Sequence, residues 1–423
     1  MKELLKKIFL SKKISSSKDL KFQELKDKSE VNKIFDAINS YNNISEVRYV
    51  GGCVRKILNK ENIDDIDLAT NLTPDQVKVC LDNSKIKYFE TGLEHGTITA
   101  KIDNQNFEIT TLRKDVKTDG RHAIVEYTTS WEEDASRRDF TINSIYSDID
   151  GNLYDPNNGH KDLINGIIKF IGEPETRIKE DYLRIIRYLR FYSGYSNADH
   201  ELNIIKIIKQ NIEGLGKVSK ERQFNELQKI IKLDNFLGIF SNKPSCELFS
   251  LIFPQLKNLK KFAKISKSSE KILRNKSSYF IISLLVIDET DNSDYFMYKY
   301  NLPNELKDKI NFLKYYSINK NTNEILNKKE LQKIFYYKEK SDLIDLIDFN
   351  LLYYKQSKKL SELKTYFEKL DKPTFPIKAQ SLIDDYGYKE GRELGQKLKN
   401  LEIKWIENNF TLSKKDMEKI LTI

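Results

Sequence analysis

The chain has 423 residues, of which 39% are hydrophobic and 32% charged, and its formal net charge is +9. That length exceeds what one hydrophobic core supports and predicts about two to four domains, each with ample apolar content for globular packing. The 3 cysteines show neither a disulfide framework nor metal-ligand spacing, which excludes a disulfide-stabilised scaffold and favours a reducing compartment.

The surplus of lysine is compatible with a polyanionic partner, most simply nucleic acid. It is equally compatible with the Lys-rich and Asn-rich usage of an AT-rich genome. No secretory signal is evident, since Lys6 and Lys7 precede only the short apolar stretch 8–10. The most apolar run, 279–287, is too short to span a bilayer. We therefore expect a soluble, cytoplasmic protein with no membrane association and no disulfide-linked partner.

The predicted elements begin with a Lys-rich, helical N-terminal extension over residues 1–44. A strand is predicted over 47–50, a helix over 52–59 and a second strand over 63–68. Thr73-Pro74-Asp75-Gln76 has the form of a capping box with proline at the first helical position, which predicts a helix to about Leu81.

Three β-rich segments follow, over 86–91, 96–103 and 107–112, and a turn is predicted at 150–152. From Glu175 onward the sequence is helical in character, with turn signals that divide it into short helices at Gly214, Pro254, Pro303 and Pro373. The predicted fold class is α+β: an N-terminal mixed-sheet head over 45–150, a neck over 151–235, and an elongated all-helical body and tail over 236–423.

Asp65 and Asp67 stand two residues apart on the predicted strand, so their side chains should project from one face. Two carboxylates at that spacing suit Mg²⁺, whose coordination is completed by phosphate and water. Two-metal catalysis then activates an attacking hydroxyl and stabilises leaving oxygens. A third carboxylate is usually needed: Glu108 is the best candidate and Glu94 the alternative, and an ordinary solvent-facing role for Glu108 stays open.

Gly51 and Gly52 precede a predicted helix, where backbone N–H groups can approach phosphate because no Cβ intervenes. Arg55 lies on the first turn and can reach the same anion. A plain strand-to-helix turn would explain the glycines but not their proximity to Asp-x-Asp. With the basic segment Arg137-Arg138, these residues together indicate nucleotidyl transfer.

The chain resembles the class II tRNA nucleotidyltransferase and poly(A) polymerase family of the polymerase β superfamily. The shared motifs occur in the family's order over about residues 47–230: Gly-Gly-Cys-Val-Arg (51–55), Asp-Ile-Asp-Leu-Ala-Thr (65–70), Arg-Arg-Asp-Phe-Thr-Ile-Asn (137–143), Tyr154-Asp155-Pro156 with Asp162-Leu163, and Glu-Asp-Tyr-Leu-Arg-Ile-Ile-Arg (180–187). This resemblance implies that the head is a polymerase β-like nucleotidyltransferase domain.

The resemblance also implies residue roles. Asp65 and Asp67 would bind the metals, with Mg²⁺ as cofactor. Gly52 and Arg55 would contact the incoming nucleotide, Arg138 its phosphates, and Asp139 would lie near the ribose.

Asp181 and Arg184 are three residues apart on a predicted helix and should share one face. A carboxylate accepts from the amino group of cytosine or adenine while a guanidinium donates to the adjacent ring nitrogen. Guanine and uracil present the reverse pattern and leave both groups mispaired, which discriminates by a few kcal/mol. The family resemblance implies the same base-reading role. The alternative is surface salt bridging, for instance Glu180 to Arg184.

Arg187 and Arg190 continue the three-residue spacing but rotate around the helix, so we expect them to reach the triphosphate. The polar segment 113–123 is predicted to be a mobile loop. It resembles the flexible loop that CCA-adding enzymes need for the switch from C to A addition.

Two departures from the family pattern are Lys56, where an acidic residue or its amide is usual, and Asn157-Asn158, where Phe-Gly is common. They put rate or hinge behaviour in question rather than activity. In the body, residues 257–276 carry 7 lysines and Arg274 against one acid, Glu270. This basic segment suits an RNA backbone, and a solvated helical face explains it equally well.

The leading hypothesis is template-independent addition of C, C and A to tRNA 3′ ends from CTP and ATP, with release of pyrophosphate. The second is a poly(A) polymerase that adds A tracts to RNA. The third is a catalytically inactive RNA-binding relative, against which the intact Asp65, Asp67, Asp181 and Arg184 argue. The sequence does not predict oligomeric state, the tRNA footprint or how addition ends.

Overall fold

The computed structural model describes residues 21–63, 65–119, 122–263, 265–317, 327–353 and 357–421. The chain divides into two compact units, Met1–Ile252 and Phe253–Ile423. The predicted N-terminal extension lies partly outside the described residues, and its described part contains the helix Ser29–Asn39. Within the described ranges, no helix is long and apolar enough to cross a lipid bilayer.

The strands of the described residues all lie in the first unit. They are β1 (Val47–Val50), β2 (Asp67–Thr70), β3 (Lys87–Gly92), β4 (Thr97–Ile102), β5 (Gln105–Thr111), β6 (Arg113–Asp119), β7 (His122–Tyr127), β8 (Tyr146–Ser147) and β9 (Leu153–Tyr154).

Seven of these strands form one mixed sheet in the order β3-β4-β5-β2-β1-β8-β9, and β6 pairs with β7 alone. The pairs within the mixed sheet are antiparallel except β2 with β5, which is parallel. In that parallel pair Asp67 stands opposite Glu108. The two carboxylates therefore occupy neighbouring strands at the same height of the sheet.

The prediction that a strand covers 63–68 is wrong, because β2 begins only at Asp67. On one side, β1 pairs with β2 only from Val47 opposite Thr70 to Tyr49 opposite Leu68, since Gly51 then turns the chain into a helix. Asp65 therefore precedes the hydrogen-bonded ladder. The predicted strands at 86–91, 96–103 and 107–112 are confirmed to within two residues.

The helices of the first unit carry several of the residues that line the cleft described below. They are α1 (Ser29–Asn39), α2 (Gly52–Leu58), α3 (Pro74–Asn83), α4 (Trp131–Ser136), α5 (Gly159–Asn165), α6 (Pro174–Glu180), α7 (Leu183–Tyr195), α8 (Leu202–Asn211), α9 (Lys220–Ile231), α10 (Gly238–Ser241) and α11 (Lys243–Ile252), with 3₁₀ turns at Leu93–His95, Thr141–Asn143 and Ile212–Lys217.

The described residues of the second unit form helices and connecting segments, with no strand among them. Its helices are α12 (Leu259–Phe262), α13 (Lys267–Arg274), α14 (Ser278–Val286), α15 (Asn292–Lys299), α16 (Asn304–Ser317), α17 (Lys328–Tyr337), α18 (Lys340–Tyr353), α19 (Lys358–Lys369), α20 (Ala379–Tyr386), α21 (Arg392–Glu407) and α22 (Lys414–Leu421). The predicted α+β class, a mixed sheet followed by helices, is confirmed.

The core of the first unit lies against the mixed sheet. Tyr49, Leu68, Ile98 and Ile109 are fully buried there with residues of α1, α2 and α3. The capping box predicted at Thr73 is present: its hydroxyl accepts from the backbone N–H of Gln76, whose side chain accepts from the N–H of Thr73. Burial of these apolar side chains fixes the strand ends at which the candidate residues stand.

Two segments differ from the predicted outline. The turn at 150–152 closes the hairpin of β8 and β9, so the sheet continues to Tyr154. The segment 113–123 is the antiparallel hairpin of β6 and β7 rather than a loop, and residues 120 and 121 lie outside the described residues. Polar and β-branched residues in alternation occur in paired strands as well as in solvated loops, so composition alone does not distinguish a hairpin from a loop.

Candidate active site

A cleft of about 910 Å³ in the first unit gathers the candidate residues. All the candidates except Glu94 line it: Gly52, Arg55, Asp65, Asp67, Glu108, Arg138, Asp139, Asp181, Arg184, Arg187 and Arg190. Glu94 is not part of this lining, and its side chain is 72% exposed. Between the two candidates for the third carboxylate, the geometry thus favours Glu108.

Three of the acidic side chains that line the cleft, Asp65, Asp67 and Glu108, act on one another. Burial, then the carboxylates of Glu108 and Asp65, raise the pKa of Asp67, while Arg138 and Arg55 oppose the rise. The repulsion among these carboxylates is what a divalent cation would relieve. Asp65 reaches this cleft from the segment before β2, so the two aspartates face one space although only one is on the strand.

In the part of the chain that the structure describes, no three carboxylate, histidine or cysteine side chains stand close enough together to enclose a metal ion. Asp65 and Asp67 therefore form an open pair rather than a closed cage. Mg²⁺ commonly binds such pairs, because it keeps several waters and takes further oxygens from substrate phosphate. The donor set fits a hard divalent cation.

The glycine pair lies directly beside these carboxylates. Gly51 has φ +65°, a conformation that favours glycine, and it forms the turn from β1 into α2. A Cβ built on Gly52 would lie 3.8 Å from Asp67 Oδ2 and 3.9 Å from Arg55 Nη2. The bare backbone of Gly52 therefore stands between a candidate metal ligand and a candidate phosphate ligand.

Arg55 is nearly fully buried and is held by a chain of polar contacts. Its Nη1 donates to Asn143 Oδ1, and the Nδ2 of Asn143 donates to Asp139 Oδ1 at 2.8 Å. Asp139 Oδ2 accepts from Arg187 Nε at 2.6 Å. Burial alone would raise the pKa of Asp139, but Arg187 and the hydrogen bonds lower it to about 2. Asp139 is thus an ionised link between α2 and α7.

A second buried carboxylate, Asp134, organises the two adjacent arginines. The sequence analysis gave it no role, although its spacing from Arg137 and Arg138 along a helix is a signal that could have found it. Asp134 Oδ1 accepts from Arg137 Nε at 2.8 Å and Oδ2 from Arg138 Nη2 at 3.0 Å. Burial opposes ionisation, yet the arginines and the Tyr146 hydroxyl hold the pKa of Asp134 far below its ordinary value.

The helix predicted to carry both Asp181 and Arg184 is broken between them. Asp181 has φ −149° and ψ 104°, an extended conformation, and joins α6 to α7. Its Oδ1 accepts from the N–H of Leu183 at 3.1 Å, as a capping residue does. The expectation that the two lie on one continuous helix is wrong, but both side chains still line the cleft because the break lies at its edge.

Each member of this pair has another partner in the structure. Arg184 Nη1 donates to Glu180 Oε2 at 2.6 Å, the alternative that the sequence analysis kept open. Asp181 Oδ2 accepts from Arg222 Nη2 at 2.7 Å. Arg222 lies on α9, whose first turn is capped by Ser219: the Ser219 hydroxyl accepts from the backbone N–H of Arg222. A base that engages Asp181 and Arg184 would compete with both contacts.

The break between α6 and α7 is supported from behind by Tyr182. Its ring lies against Gly214, where a Cβ would overlap the ring carbons. Lys217 Nζ lies 5.6 Å from the centroid of the same ring. The tyrosine is therefore wedged between the backbone of the 3₁₀ turn and the segment that carries Asp181.

Arg187 and Arg190 are anchored within the protein. Besides its bond to Asp139, Arg187 lies 3.8 Å from the carboxylate of Glu226. Arg190 Nε pairs with Glu226 Oε2 at 2.7 Å, and burial with its cationic neighbours lowers the pKa of Arg190 to about 10. Their expected contact with a triphosphate stays a prediction. Glu226 was missed, since nothing in the sequence of α9 distinguishes it from the other acid of that helix, Glu221.

The departures at 56 and 157–158 are accommodated. Lys56 lines the cleft, where its charge adds to that of the arginines. Asn157 Nδ2 donates to Ser144 Oγ at 3.1 Å, and Asn158 takes φ +56° before α5. Asparagine tolerates this left-handed conformation better than most residues, so the turn forms without Phe-Gly.

The basic segment of the second unit separates into two groups. Lys276 is 11% exposed and pairs with Asp345 at 2.6 Å and Asp348 at 2.7 Å, a structural role. The other described lysines of the segment are exposed: Lys257, Lys260, Lys261, Lys267 and Lys271. Lys264 lies outside the described residues.

Comparison with known proteins gives this geometry a context. Residues 47–169 match the family model of the poly A polymerase head domain. The mitochondrial CCA tRNA nucleotidyltransferase 1 of Mus musculus is 44% identical over 229 residues, 53% of this chain and 53% of the relative. The chain thus spans about half the length of this relative.

Two further comparisons extend over most of the chain. The solved structure of the Bacillus stearothermophilus CCA-adding enzyme in complex with CTP shares the fold, with a TM-score of 0.66, 22% identity and coverage of 92% of this chain and 95% of that one. The CCA-adding enzyme of Ligilactobacillus salivarius is 30% identical over 377 residues, which are 84% of this chain and 87% of the relative. On that extent of similarity, the chain belongs to the family of CCA-adding enzymes, the tRNA nucleotidyltransferases.

Proposed function

We propose that the protein adds CCA to the 3′ end of tRNA without a nucleic-acid template, using CTP and ATP and releasing pyrophosphate. The observation that carries the proposal is the single cleft into which Asp65, Asp67, Gly52, Arg138 and Asp181 all open. Each supplies a group that nucleotidyl transfer needs. Membership of the CCA-adding family supports the choice of tRNA as acceptor.

In this proposal the terminal ribose hydroxyl of the tRNA attacks the α-phosphate, and pyrophosphate leaves. Asp65 and Asp67 would hold Mg²⁺, with Glu108 beside them, and the cation supplies activation of the hydroxyl and neutralisation of developing charge. Gly52 lets the triphosphate approach the backbone closely. Arg55 and Arg138 bind its oxygens and hold the α-phosphate in line for attack.

Base choice would rest on Asp181 and Arg184. The carboxylate accepts from the exocyclic amino group of cytosine or adenine, and the guanidinium donates to the adjacent ring nitrogen. Uracil or guanine would leave both unsatisfied, at a cost of about 1–3 kcal/mol for each unmade hydrogen bond. Arg187 and Arg190 would add positive charge toward the triphosphate, and Asp139 would lie near the ribose.

The acceptor RNA would also contact the second unit. The exposed lysines of the basic segment can neutralise phosphates, which makes binding sensitive to salt. Lys276 is excluded from that role by its buried ion pairs. The reducing compartment that the cysteine content predicts, the cytoplasm, stays a prediction, and a relative of this chain carries a mitochondrial name.

The decisive experiment supplies purified protein and Mg²⁺ with a tRNA transcript that lacks its terminal CCA. Each labelled nucleotide is offered singly, and then CTP is offered together with ATP. Two C residues followed by one A support the proposal. A long A tract would support the poly(A) polymerase alternative, which the matching head-domain model keeps in view. No incorporation at all would indicate an inactive RNA-binding relative.

Two variants test the assigned roles. Asp65→Ala should abolish incorporation while tRNA binding persists. The double variant Asp181→Ala with Arg184→Ala should incorporate UTP and GTP at rates closer to those of CTP and ATP. Unchanged selectivity in that variant would refute the base-reading role.

A further inference from the structure

Asp134 stands behind the cleft rather than in it. Its carboxylate is 1% exposed and is reached from three directions: from the adjacent arginines, from the start of the β6–β7 hairpin and from β8. Nothing in the proposed reaction uses this group directly. Its hydrogen bonds to Arg138 nevertheless link it to the side of the cleft at which Gly51 turns the chain from β1 into α2.

Each oxygen of the Asp134 carboxylate accepts hydrogen bonds from two different residues. Oδ1 accepts from Arg137 Nε at 2.8 Å and from the backbone N–H of Arg113 at 3.3 Å. Oδ2 accepts from Arg138 Nη2 at 3.0 Å and from the hydroxyl of Tyr146 at 2.6 Å. A carboxylate has about four lone-pair directions, so these donors use its accepting capacity and fix its plane.

These hydrogen bonds fix the orientation of the Arg138 guanidinium. Its Nε and Nη2 both point to Asp134 Oδ2, at 3.2 Å and 3.0 Å, which fixes the plane of the fork. Its Nη1 then lies against the glycine turn, 3.3 Å from where a Cβ of Gly51 would be. The ring of Tyr146 supports the guanidinium, 5.2 Å from its carbon.

We propose that Asp134 is a positioning residue for the triphosphate of the incoming nucleotide, because it aims the Nη1 edge of Arg138 at the glycine turn, where Nη1 donates only a long bond of 3.4 Å to the carbonyl of Asn143. This inference rests on the proposed function, in which Arg138 binds phosphate. A lysine at 138 could not hold the same geometry, since its ammonium lacks the planar fork. Neutral asparagine at 134 keeps the shape but loses the charge that orients two guanidinium groups.

The test compares ligands with and without phosphates. CTP and cytidine are titrated into the wild-type protein and into Asp134→Asn by ligand-observed NMR. We expect CTP to bind about tenfold more weakly to the variant, the loss of roughly one charge-assisted hydrogen bond. Cytidine, which carries no phosphate, should bind both proteins equally.

Glu133→Gln is the matched control, because it removes the same charge from an exposed neighbour on the same helix. It should bind both ligands like the wild type. If Asp134→Asn does not fold, Tyr146→Phe removes one donor to the same oxygen and should weaken CTP alone, by a smaller factor.

An unchanged CTP affinity in the folded variant would overturn the inference. Equal weakening of CTP and cytidine would overturn it too, because a merely structural role disturbs the whole pocket. These titrations are independent of catalysis: a wild-type protein that binds CTP but extends no tRNA would refute the proposed function and leave the role of Asp134 testable.

Discussion

Gly52→Ala should separate stability from function more sharply than any change to a charged residue. A Cβ at this position would meet Asp67 Oδ2 at 3.8 Å and Arg55 Nη2 at 3.9 Å, both ordinary van der Waals contacts. Gly52 begins α2, and its φ is not positive. Alanine should therefore leave the free energy of unfolding unchanged or raise it by up to about 1 kcal/mol.

The same methyl group would stand where phosphate must approach the backbone. Displacing the triphosphate would lose about one charge-assisted hydrogen bond, roughly 1.5–3 kcal/mol, or about 10- to 100-fold in kcat/KM for CTP. Single-turnover C addition to tRNA, CTP titration and thermal denaturation of the same preparation measure the two effects together.

Gly216→Ala is the control, since a Cβ there would meet nothing within 4 Å and the residue has no positive φ. It should match the wild type in all three measurements. Gly51→Ala should instead lower the melting temperature, because its φ of +65° strains any residue with a side chain. Wild-type kcat/KM in Gly52→Ala would show that the second glycine only starts a helix.

For substitutions at three further positions, the structure predicts the direction in which stability changes. The folded-state pKa of Asp67 is raised above 3.8, so the ionised carboxylate lowers stability as pH rises past that value. Asp67→Asn should therefore have a higher melting temperature than the wild type at pH 7, by a margin that shrinks toward pH 4. The same variant should lose nucleotide addition. Lys276→Ala leaves the 1%-exposed carboxylate of Asp348 with one cation fewer and should lower the free energy of unfolding by about 1–3 kcal/mol in denaturant titration. Lys260 is exposed in the same basic segment, so Lys260→Ala should leave stability unchanged and weaken tRNA binding. The reverse pattern would contradict the assignment of a structural role to Lys276 and an RNA-binding role to Lys260. Burial lowers the pKa of His200 from 6.5 to about 4. Between those values the unfolded chain binds more protons than the folded protein, so stability falls as pH drops through them. His200→Asn should therefore show a smaller difference in melting temperature between pH 7 and pH 5 than the wild type, and an equal difference would refute this.

The local signals in the sequence predicted the parts of the site that depend on short spacing. The glycine turn, the Asp-x-Asp pair and the register partner Glu108 belong to adjacent strands and their ends, where alternation and capping are strong guides. The boundary of β2 was misjudged because a strand ends where its neighbours stop pairing, and β1 turns away at Gly51. Sequence alone does not show that limit.

Contacts between distant segments were beyond sequence reasoning. Arg222 meets Asp181 across 41 positions, and Arg177 reaches the backbone carbonyl of Arg138 across 39. Such pairs depend on how helices pack, which no local pattern encodes. The break at Asp181 was missed for a related reason: Glu-Asp-Tyr-Leu-Arg is compatible with a continuous helix, whereas the packing of Tyr182 against the distant Gly214 favours two.

The wedge formed by Tyr182 and Gly214 has a consequence for variation in this chain. A methyl group at 214 would displace the aromatic ring, and with it the joint that carries Asp181, which we propose to read the base. Random mutagenesis scored for misincorporated nucleotides should therefore recover changes at Gly214, although this residue lies outside the lining of the cleft.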